Sequence, residues 1–346
     1  MSENPLVSVI VLNYNAGELL LNCVESIKKS AYKNLEVIVV DNISTDKSQE
    51  ICKEKYPDIK LIQNDENFGY CEGNNIGIRK ARGDFIMILN PDTIVEPNCI
   101  RELIFEHEKL GEGLYQPKIL SLNEKQVLQS TGNMLHVFGF GYAKDKGKKD
   151  EEVDEEIKKI GYASGTCLFT SRNVLEKVGL LDSFLFLYHD DLDLGWRASQ
   201  IGINSYYVPK SKIYHVESYS LKWSAKKFYW LERNRKYCLL THYSKNTYAK
   251  MYSSLCLVDL FVWFFYISKG FLGAKIKAEL DIRKNKKFIE TKYQELEKKK
   301  TIPDEKLIRE FPDEIFVPTN VSDNFMNESF NSILSKLSKK VKKKII

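Results

Sequence analysis

The sequence predicts a doubly wound α/β sheet followed by a helical extension rich in aromatic and basic residues. Over the first hundred positions, short β-branched runs alternate with helically spaced apolar residues, the pattern of parallel strands joined by crossover helices. The chain has 346 residues, of which 43% are apolar, enough for about two structural units with a sizeable core. Beyond about residue 217, aromatic side chains are interleaved with Lys and Arg.

Four apolar runs predict the first strands of the sheet. Between the first two runs, Leu20, Val24 and Ile27 recur at the spacing of a buried helical face. Asp46, with Gln49 three residues later, has the pattern of a capped helix start. The predicted strands lie at residues 7–12, 36–40, 59–62 and 85–89.

The second half of the α/β unit is predicted to follow an acidic run at 144–159, which we expect to be a solvated loop. A strand at 164–170, a short helix capped by Ser171, a helix at 190–201 and a strand at 204–208 come next. The resulting domains are an α/β domain over 1–220, a helical extension over 221–310 and a basic, flexible tail over 311–346.

Composition excludes several classes of protein. The net charge of +5 is too small to indicate nucleic acid as the main partner. Seven scattered cysteines without a CxxC motif indicate neither a zinc site nor a disulfide framework, and favour a reducing cytoplasm. No secretory signal is recognisable at the amino terminus. The most apolar stretch, 255–267, is shorter than the roughly 20 residues that span a bilayer.

Polar side chains follow the predicted strands at positions where a ligand is expected. Ligands of doubly wound sheets bind beyond the carboxyl ends of the strands, so residues 13–15, 41–46 and 90–92 should border one crevice. We expect Asp41 to point into that crevice and to accept a hydrogen bond from the ligand. The alternative is that Asp41 and Asp46 only cap the following turn and helix.

The segment Asn90-Pro91-Asp92 is a candidate metal site. Proline fixes the backbone, so that two oxygen-bearing side chains face the same space. Mg²⁺ and Mn²⁺ prefer such ligands, with phosphate oxygens completing the shell, although NPD is also a common turn. His215, at the end of a predicted strand, is either a ligand at this crevice or a structural histidine.

Asp190, Asp191 and Asp193 lie within four residues at the start of a predicted helix. The helix dipole favours carboxylates at this position, so a capping role explains part of the pattern. Neighbouring like charges raise the pKa of a carboxyl group. One of these residues is therefore a candidate general base.

Five ordered segments within roughly residues 5–240 together resemble one known family. They are VSVIVLNYN (7–15), EVIVVDNISTD (36–46), NDENFGYCEGNNIGIRKARGDFIMILNPDT (64–93), GYASGTCLFTSRNVLEKVGLLDSFLFLYHDDLDLGWRASQIG (161–202) and YHVESYS (214–220). The chain has no GxGxxG, GxxxxGK[ST], HExxH or GxSxG motif. The pattern resembles the family 2 glycosyltransferases of the GT-A fold, in particular their rhamnosyltransferase-like branch.

The resemblance implies a role for each matching residue. Asp191 would be the catalytic base, with Asp190 as its acidic partner in place of the usual Glu. Asp92 and His215 would hold Mg²⁺ or Mn²⁺, and Asn90 stands where the DXD motif has its first acid. The nucleotide-sugar would contact Asn13, Tyr14, Asn15, Asp41, Asn67, Gly69, Asn74, Asn75, Arg79 and Asn90.

The implied activity is an inverting, metal-dependent transfer of a sugar, rhamnose at the level of the branch. The donor would be linked to dTDP, UDP or GDP, and the acceptor would be a glycan or a lipid-linked saccharide in cell-surface polysaccharide biosynthesis. A nucleotidyltransferase and a non-catalytic sugar-binding or scaffold protein are the alternatives. The segment NYNAGE follows the first strand, where a nucleotidyltransferase would have a Gly-rich loop, and this disfavours a nucleotidyltransferase. The presence of Asp92 and Asp191 disfavours a non-catalytic protein.

The carboxy-terminal third leaves two interpretations open. Its aromatic and basic helices, with the lysine-rich tail, suit peripheral contact with the cytoplasmic face of a membrane. The same aromatic residues would also serve as a packed core or as a homodimer face.

Overall fold

The computed structural model describes residues 4–216, 224–315 and 324–346, which divide into two compact units. Unit 1 comprises Met1–Asn133, Ala143–Gly195 and Ile203–Tyr219. Unit 2 comprises Met134–Tyr142, Trp196–Gly202 and Ser220–Ile346, so it includes two short segments that we had expected in the first domain. The expected boundary at residue 220, Trp223 and the end of the YHVESYS segment lie outside the described residues.

Unit 1 is built on a mixed sheet. Its strands are β1 (Val7–Asn13), β2 (Leu35–Asp41), β3 (Lys60–Gln63), β4 (Phe85–Leu89), β5 (Thr93–Val95), β6 (Gly113–Ser121), β7 (Leu128–Ser130), β10 (Lys158–Ile160), β11 (Cys167–Ser171) and β12 (Asn204–His215). Among the described residues their order is β10-β12-β6-β11-β4-β1-β2-β3, with β5 paired to β12 and β7 to β6. Strands β8 (Asn133–Leu135) and β9 (Gly141–Ala143) form a separate pair.

The predicted α/β class is confirmed. The first four strands lie within one residue of their predicted bounds, and β1 pairs in parallel with both β2 and β4. β11 is shorter than predicted because residues 164–166 turn, with the Cys167 N–H donating to the Ser164 carbonyl at 3.1 Å. β12 is longer, since a bulge between Val208 and Lys212 lets it continue to His215.

Helices cover the sheet of unit 1. As predicted, Ser171 caps α5, its hydroxyl accepting from the Val174 N–H at 3.2 Å. α2 begins two residues after Asp46, whose carboxylate accepts from the Ser48 N–H at 3.0 Å. The helices are α1 (Glu18–Lys28), α2 (Ser48–Lys55), α3 (Gly69–Lys80), α4 (Cys99–Leu110), α5 (Arg172–Val178) and α6 (Asp190–Gln200), the last of which continues into unit 2.

The acidic run at 144–159 is only partly the solvated loop that we expected. It contains a 3₁₀ turn at Asp150–Glu152 and strand β10. Asp150 forms an ion pair with Lys118, a fully buried side chain of β6, and lies 3.3 Å from Lys212. Burial raises the pKa of Asp150, but Lys118 and Lys212 together lower it below its usual value. The run therefore supplies the counter-charge of a buried lysine.

Unit 2 confirms the predicted helical extension. Trp196 packs there against His242 and Tyr243, with ring centroids 4.6 and 4.9 Å apart. Within the expected tail, the described residues include a helix over 324–345, and Leu334 and Val341 of this helix are buried. The helices are α7 (Ala225–His242), α8 (Lys245–Ser268), α9 (Leu272–Lys284), α10 (Lys286–Lys299), α11 (Asp304–Glu310) and α12 (Asn324–Ile345).

Replacing Asp150 with Asn should destabilise the protein by about 2 kcal/mol, because Lys118 loses its nearest counter-charge while it stays buried. Urea unfolding at pH 7 measures the change. Glu151→Gln is the matched control, since this neighbouring side chain is 80% exposed and should change stability by less than about 0.5 kcal/mol. Equal effects of the two substitutions would contradict the role given to Asp150.

Candidate active site

A network of short hydrogen bonds joins the carboxyl ends of β1 and β2. The Asn13 amide nitrogen lies 2.8 Å from Asp41 Oδ1 and 3.0 Å from Ser44 Oγ. The other oxygen of Asp41 accepts from the Ser44 N–H at 2.9 Å. Because β1 and β2 are parallel neighbours with Asn13 opposite Asp41, their last residues meet at the edge of the sheet. This network fixes the floor of the predicted donor crevice.

Asp41 is used differently from our first expectation. Asp41 is 2% exposed; its Oδ2 holds the turn that follows β2, which is the capping alternative, and its Oδ1 accepts from the Asn13 side chain of β1. Tyr14 is the residue that this segment offers to a ligand, since it is 50% exposed. Asn15 has a φ of 54° and accepts from the Thr45 N–H at 2.7 Å. Asp41 and Asn13 thus shape the crevice from below.

The start of α3 is tied to the loop that precedes Asp190. Asn67 Oδ1 accepts from the Gly69 N–H at 2.9 Å, which sets the turn into the helix. Gly69 has a φ of +74°, and a Cβ there would lie 2.6 Å from the Phe186 carbonyl oxygen. That carbonyl accepts from the N–H of Tyr70 at 2.6 Å. Only glycine fits this approach, so Asn67 and Gly69 position the acidic loop.

The remaining predicted donor contacts on α3 differ in their placement. The Asn75 side chain bonds to both the N–H and the carbonyl of Leu181, at 3.1 and 2.8 Å, and so holds the same loop. Asn74 is fully buried, and its Oδ1 has no hydrogen-bond partner among the described residues. Arg79, in the last turn of α3, forms an ion pair with Glu72 of the first turn, so its guanidinium reaches back towards the start of the helix. The diphosphate contact by Arg79 stays a prediction.

The predicted metal ligands come together at the end of β12. Antiparallel pairing of β12 with β5 sets His215 opposite Thr93, so its ring reaches Asp92, with 3.4 Å between Nε2 and Oδ1. Asp92 is 8% exposed, and its Oδ1 is buried with no hydrogen bond among the described residues. The Asn90 side chain is half-buried beside them. An unsatisfied buried carboxylate oxygen beside an imidazole nitrogen suits a divalent cation.

Gln129 of β7 fixes the orientation of His215. Its Oε1 lies 2.6 Å from Nδ1 of the imidazole, and its Nε2 donates to the His215 carbonyl at 2.9 Å. An amide oxygen can only accept, so Nδ1 carries a proton in this arrangement and Nε2 is the ring nitrogen that faces Asp92. Hydrogen bonds of this kind orient the histidine ligands of metal sites.

The two acids of the predicted catalytic pair have different surroundings. Burial, and then the charge of Asp191, raise the pKa of Asp190 well above its usual value. Burial also raises the pKa of Asp191, but hydrogen bonds from the N–H groups of Gly165 (3.0 Å) and Leu192 (2.8 Å) oppose the rise. Asp190 is buried, whereas Asp191 is half-buried. Asp191 is therefore the carboxylate that a substrate hydroxyl can reach.

The loop that delivers these acids has an uncommon backbone. Phe186, Tyr188 and His189 all have positive φ, at 62°, 67° and 62°. Such conformations cost free energy in residues that carry a Cβ, and they persist only where the surroundings enforce them. Bonds from α3 to Phe186 and Leu181 supply that enforcement.

The Asn90 loop and the acid pair both bond to the turn that precedes β11. The Asn90 N–H donates to the Thr166 carbonyl at 3.0 Å, and the adjacent Gly165 N–H donates to Asp191. The Gly165 carbonyl accepts from the Tyr70 hydroxyl. A Cβ at residue 165 would lie 3.1 Å from that hydroxyl and 3.2 Å from Asp190 Oδ2. One short backbone segment thus links the two halves of the site.

Sequence reasoning missed four residues of this site: Gln129, Tyr70, Gly165 and Asn42. Asn42 donates to the Gly69 carbonyl at 2.9 Å and accepts from Asn64 at 2.8 Å. Its place beside Asp41 was a usable signal, and Tyr70 and Gly165 lie within the quoted segments. Gln129 had no signal, because only the pairing of β7 with β6 brings it near His215.

Comparisons with known proteins place these residues in context. Residues 8–179 match the model of the glycosyl transferase family 2. The low-salt glycan biosynthesis hexosyltransferase Agl10 of Haloferax volcanii is 30% identical over 57% of this chain, and the match spans 63% of that relative, less than two thirds of its length. The N-acetylglucosaminyl-diphospho-decaprenol L-rhamnosyltransferase of Mycobacterium tuberculosis is 24% identical over 62% of this chain and 77% of its own length.

A solved structure supports the fold. GalNAc-T7, solved with UDP, GalNAc and Mn²⁺, aligns with a TM-score of 0.59 over 72% of this chain and 51% of that chain. The two sequences are 18% identical. The likeness therefore concerns the GT-A arrangement of sheet and helices, which confirms the predicted fold type.

Replacing Asp190 with Asn should raise the melting temperature at pH 7.5 by a few degrees, since about 1 kcal/mol corresponds to about 2–4 °C in a unit of this size. The folded pKa of Asp190 lies above its usual 3.8. The native protein therefore loses stability as pH rises from about 4 through the folded pKa, and Asn avoids that loss. Melting curves at pH 4 and 7.5 measure the difference. Asp65→Asn, at an exposed position, is the control. A gain of equal size at both pH values would contradict the raised pKa.

Proposed function

We propose that this chain, which belongs to the glycosyl transferase family 2, transfers a sugar from a nucleotide-sugar to a hydroxyl group of a glycan or lipid-linked saccharide. The observation that carries the proposal is the link between the metal-ligand pair Asp92–His215 and the half-buried base Asp191 through Thr166 and Gly165. Such a site offers charge for a leaving diphosphate and a base for an attacking hydroxyl.

The donor crevice supports a nucleoside diphosphate sugar linked to dTDP, UDP or GDP. Tyr14 offers an exposed aromatic ring at the end of β1, which suits stacking or edge contact with a base. The unpartnered Oδ1 of Asn74 is a further acceptor near this edge of the sheet. The names of the two relatives, a hexosyltransferase and an L-rhamnosyltransferase, make a hexose or rhamnose the first sugars to test.

We further propose that Asp92 and His215 hold Mg²⁺ or Mn²⁺. The unsatisfied Oδ1 of Asp92 and the Nε2 of His215 fit a divalent cation. When bound, the cation would supply positive charge against the diphosphate of the donor. Asn90 replaces the acid that usually begins the motif, so Asp92 is the charged ligand of the pair.

Asp191 acts as the general base in the proposed reaction. The acceptor hydroxyl oxygen forms a bond to the anomeric carbon while the bond from that carbon to the diphosphate oxygen breaks. The hydroxyl proton passes to Asp191, and the diphosphate leaves with the bonding electrons. A single displacement of this kind inverts the anomeric configuration. The raised pKa of Asp191 strengthens it as a base, and the N–H groups of Gly165 and Leu192 keep it oriented.

A nucleotide screen tests the donor site without an acceptor. Thermal shifts with UDP, dTDP, GDP and CMP, each with and without Mn²⁺, should show a metal-dependent rise for one nucleotide, because a ligand at 100 times its Kd adds about 2.7 kcal/mol. Asp92→Ala should abolish the dependence on Mn²⁺. Asp65→Ala, an exposed acid of unit 1, is the matched control. A folded protein that shifts with none of them would contradict the proposal, whereas a metal-independent shift would contradict only the metal site.

Asp191→Asn should lower turnover by on the order of 10²-fold or more, because the base is removed while the shape of the site is kept. Nucleotide affinity should stay within about twofold of the native value. Release of the nucleoside diphosphate during transfer from the donor that the screen identifies measures turnover. The thermal shift with the same nucleotide measures affinity. Turnover close to native would remove Asp191 as the base, and equal loss of nucleotide binding would assign it to the donor site instead.

A further inference from the structure

Helices α8 and α9 of unit 2 expose a continuous apolar surface. We define this apolar face by Leu257, Leu260, Phe264 and Ile267 of α8 with Ile276 and Leu280 of α9, all of them exposed. Leu260 and Phe264 are the most open, at 64% and 65%. Their spacing of three or four residues aligns them along one side of each helix. Among the described residues, α8 is also the helix that is long and apolar enough to cross a membrane, and 33% of its most apolar window is buried.

A cluster of ion pairs lies on the inner side of these helices. The Lys275 ammonium of α9 is fully buried, 2.5 Å from Glu232, 2.7 Å from Asp259 and 2.8 Å from Glu279. These three carboxylates are close enough to hold a metal ion, but the lysine already occupies the space between them. Burial raises the pKa of Glu232, and the charges of Arg235 and Lys275 lower it to about 2. These ion pairs are therefore internal, while the apolar face is exposed.

The charge around the apolar face has one sign. Across residues 269–288, a fully described stretch, every exposed charged side chain is a cation. The two acids of this stretch, Glu279 and Asp281, are only partly exposed and lie against cations of α7. The exposed cations are Lys269, Lys277, Arg283, Lys284, Lys286 and Lys287.

We propose that the apolar face of α8 and α9 docks on an anionic lipid surface, with the surrounding lysines and Arg283 contacting lipid phosphates. An apolar stripe with basic residues beside it is the pattern of a helix that lies in a membrane interface. A twofold contact with a second copy would bring the same cations together, which opposes that occupant. Asp259, paired within the inner side, opposes a spanning arrangement of α8. The proposal does not depend on the transfer reaction.

Vesicle sedimentation with the purified full-length chain tests the proposal. Vesicles of phosphatidylcholine with 30% phosphatidylglycerol, about a third anionic lipid, should bind the protein at 0.1 M NaCl at least tenfold more tightly than pure phosphatidylcholine. Raising NaCl to 0.5 M should weaken binding by about tenfold, because salt screens charge. Equal binding to both lipids, or no binding to either, would overturn the proposal. So would retention in sodium carbonate, which marks a spanning helix.

Two triple variants separate this face from general hydrophobicity. Leu260→Gln, Phe264→Gln and Ile267→Gln together should weaken vesicle binding at least tenfold, since each removes an exposed apolar side chain of the face. The matched control replaces three exposed apolar residues of unit 1, Ile51, Phe105 and Ile157, with Gln and should change binding less than twofold. Light scattering measures the oligomeric state of the native protein and of both variants. If the native protein is a dimer and only the first variant is a monomer, the face contacts a second copy and the proposal is overturned.

Nucleotide thermal shifts of the same variants distinguish this proposal from the proposed function. Both triple variants should keep the native nucleotide response, because the apolar face contains no donor-site residue. Loss of vesicle binding with an intact nucleotide response supports the lipid site. Absence of a nucleotide response in native protein that still binds vesicles contradicts the transferase function alone.

Discussion

The antiparallel insertion of β11 between β4 and β6 is the constraint on which the rest of the site depends. In a purely parallel sheet, a strand beside β4 would bring its carboxyl end to the site edge. Because β11 runs the other way, it brings its amino end, and residues 165–167 lie beside Asn90. Free backbone N–H groups at this point can hold a carboxylate, and Gly165 uses one to hold Asp191. A reversed strand thus sets the distance between the metal ligands and the base.

This geometry gives different properties to two adjacent acids. Asp190 is placed against Tyr70 and Gly165, where burial disfavours its charge, whereas Asp191 receives two backbone N–H groups and keeps more contact with solvent. The strained residues Phe186, Tyr188 and His189 make this placement possible, since a relaxed loop would enter α6 along another path. The free energy that the loop costs is offset by the bonds from Asn75 and from the start of α3.

The sequence was sufficient for the α/β class, the first strands and the three acidic motifs, because these follow from local periodicity and from the edge rule of doubly wound sheets. It was less informative about which partner each polar side chain chooses. Asn67, Gly69 and Asn75 were expected beside the nucleotide; in the structure they hold the acidic loop, because that loop returns to α3 from more than a hundred residues away. Gln129 and the role of Asp150 depend on long-range strand pairing, which local patterns do not contain.

The two units differ in where their charged side chains lie. Unit 1 keeps Asp92 and Asp191 at the edge of the sheet, where His215 and backbone N–H groups are their partners. Unit 2 encloses a neutralised cluster of three acids and three bases, Glu232, Asp259 and Glu279 with Arg235, Lys236 and Lys275, and leaves leucine and phenylalanine outside. Burying such a cluster is rarely more stabilising than burying an apolar core. Its consequence is instead that apolar side chains occupy the outer face, where they are available for binding. A chain held on a lipid surface by that face would meet a lipid-linked acceptor at a high effective concentration, and a soluble acceptor would gain nothing from it. The apolar face therefore argues for the lipid-linked member of the proposed acceptor class.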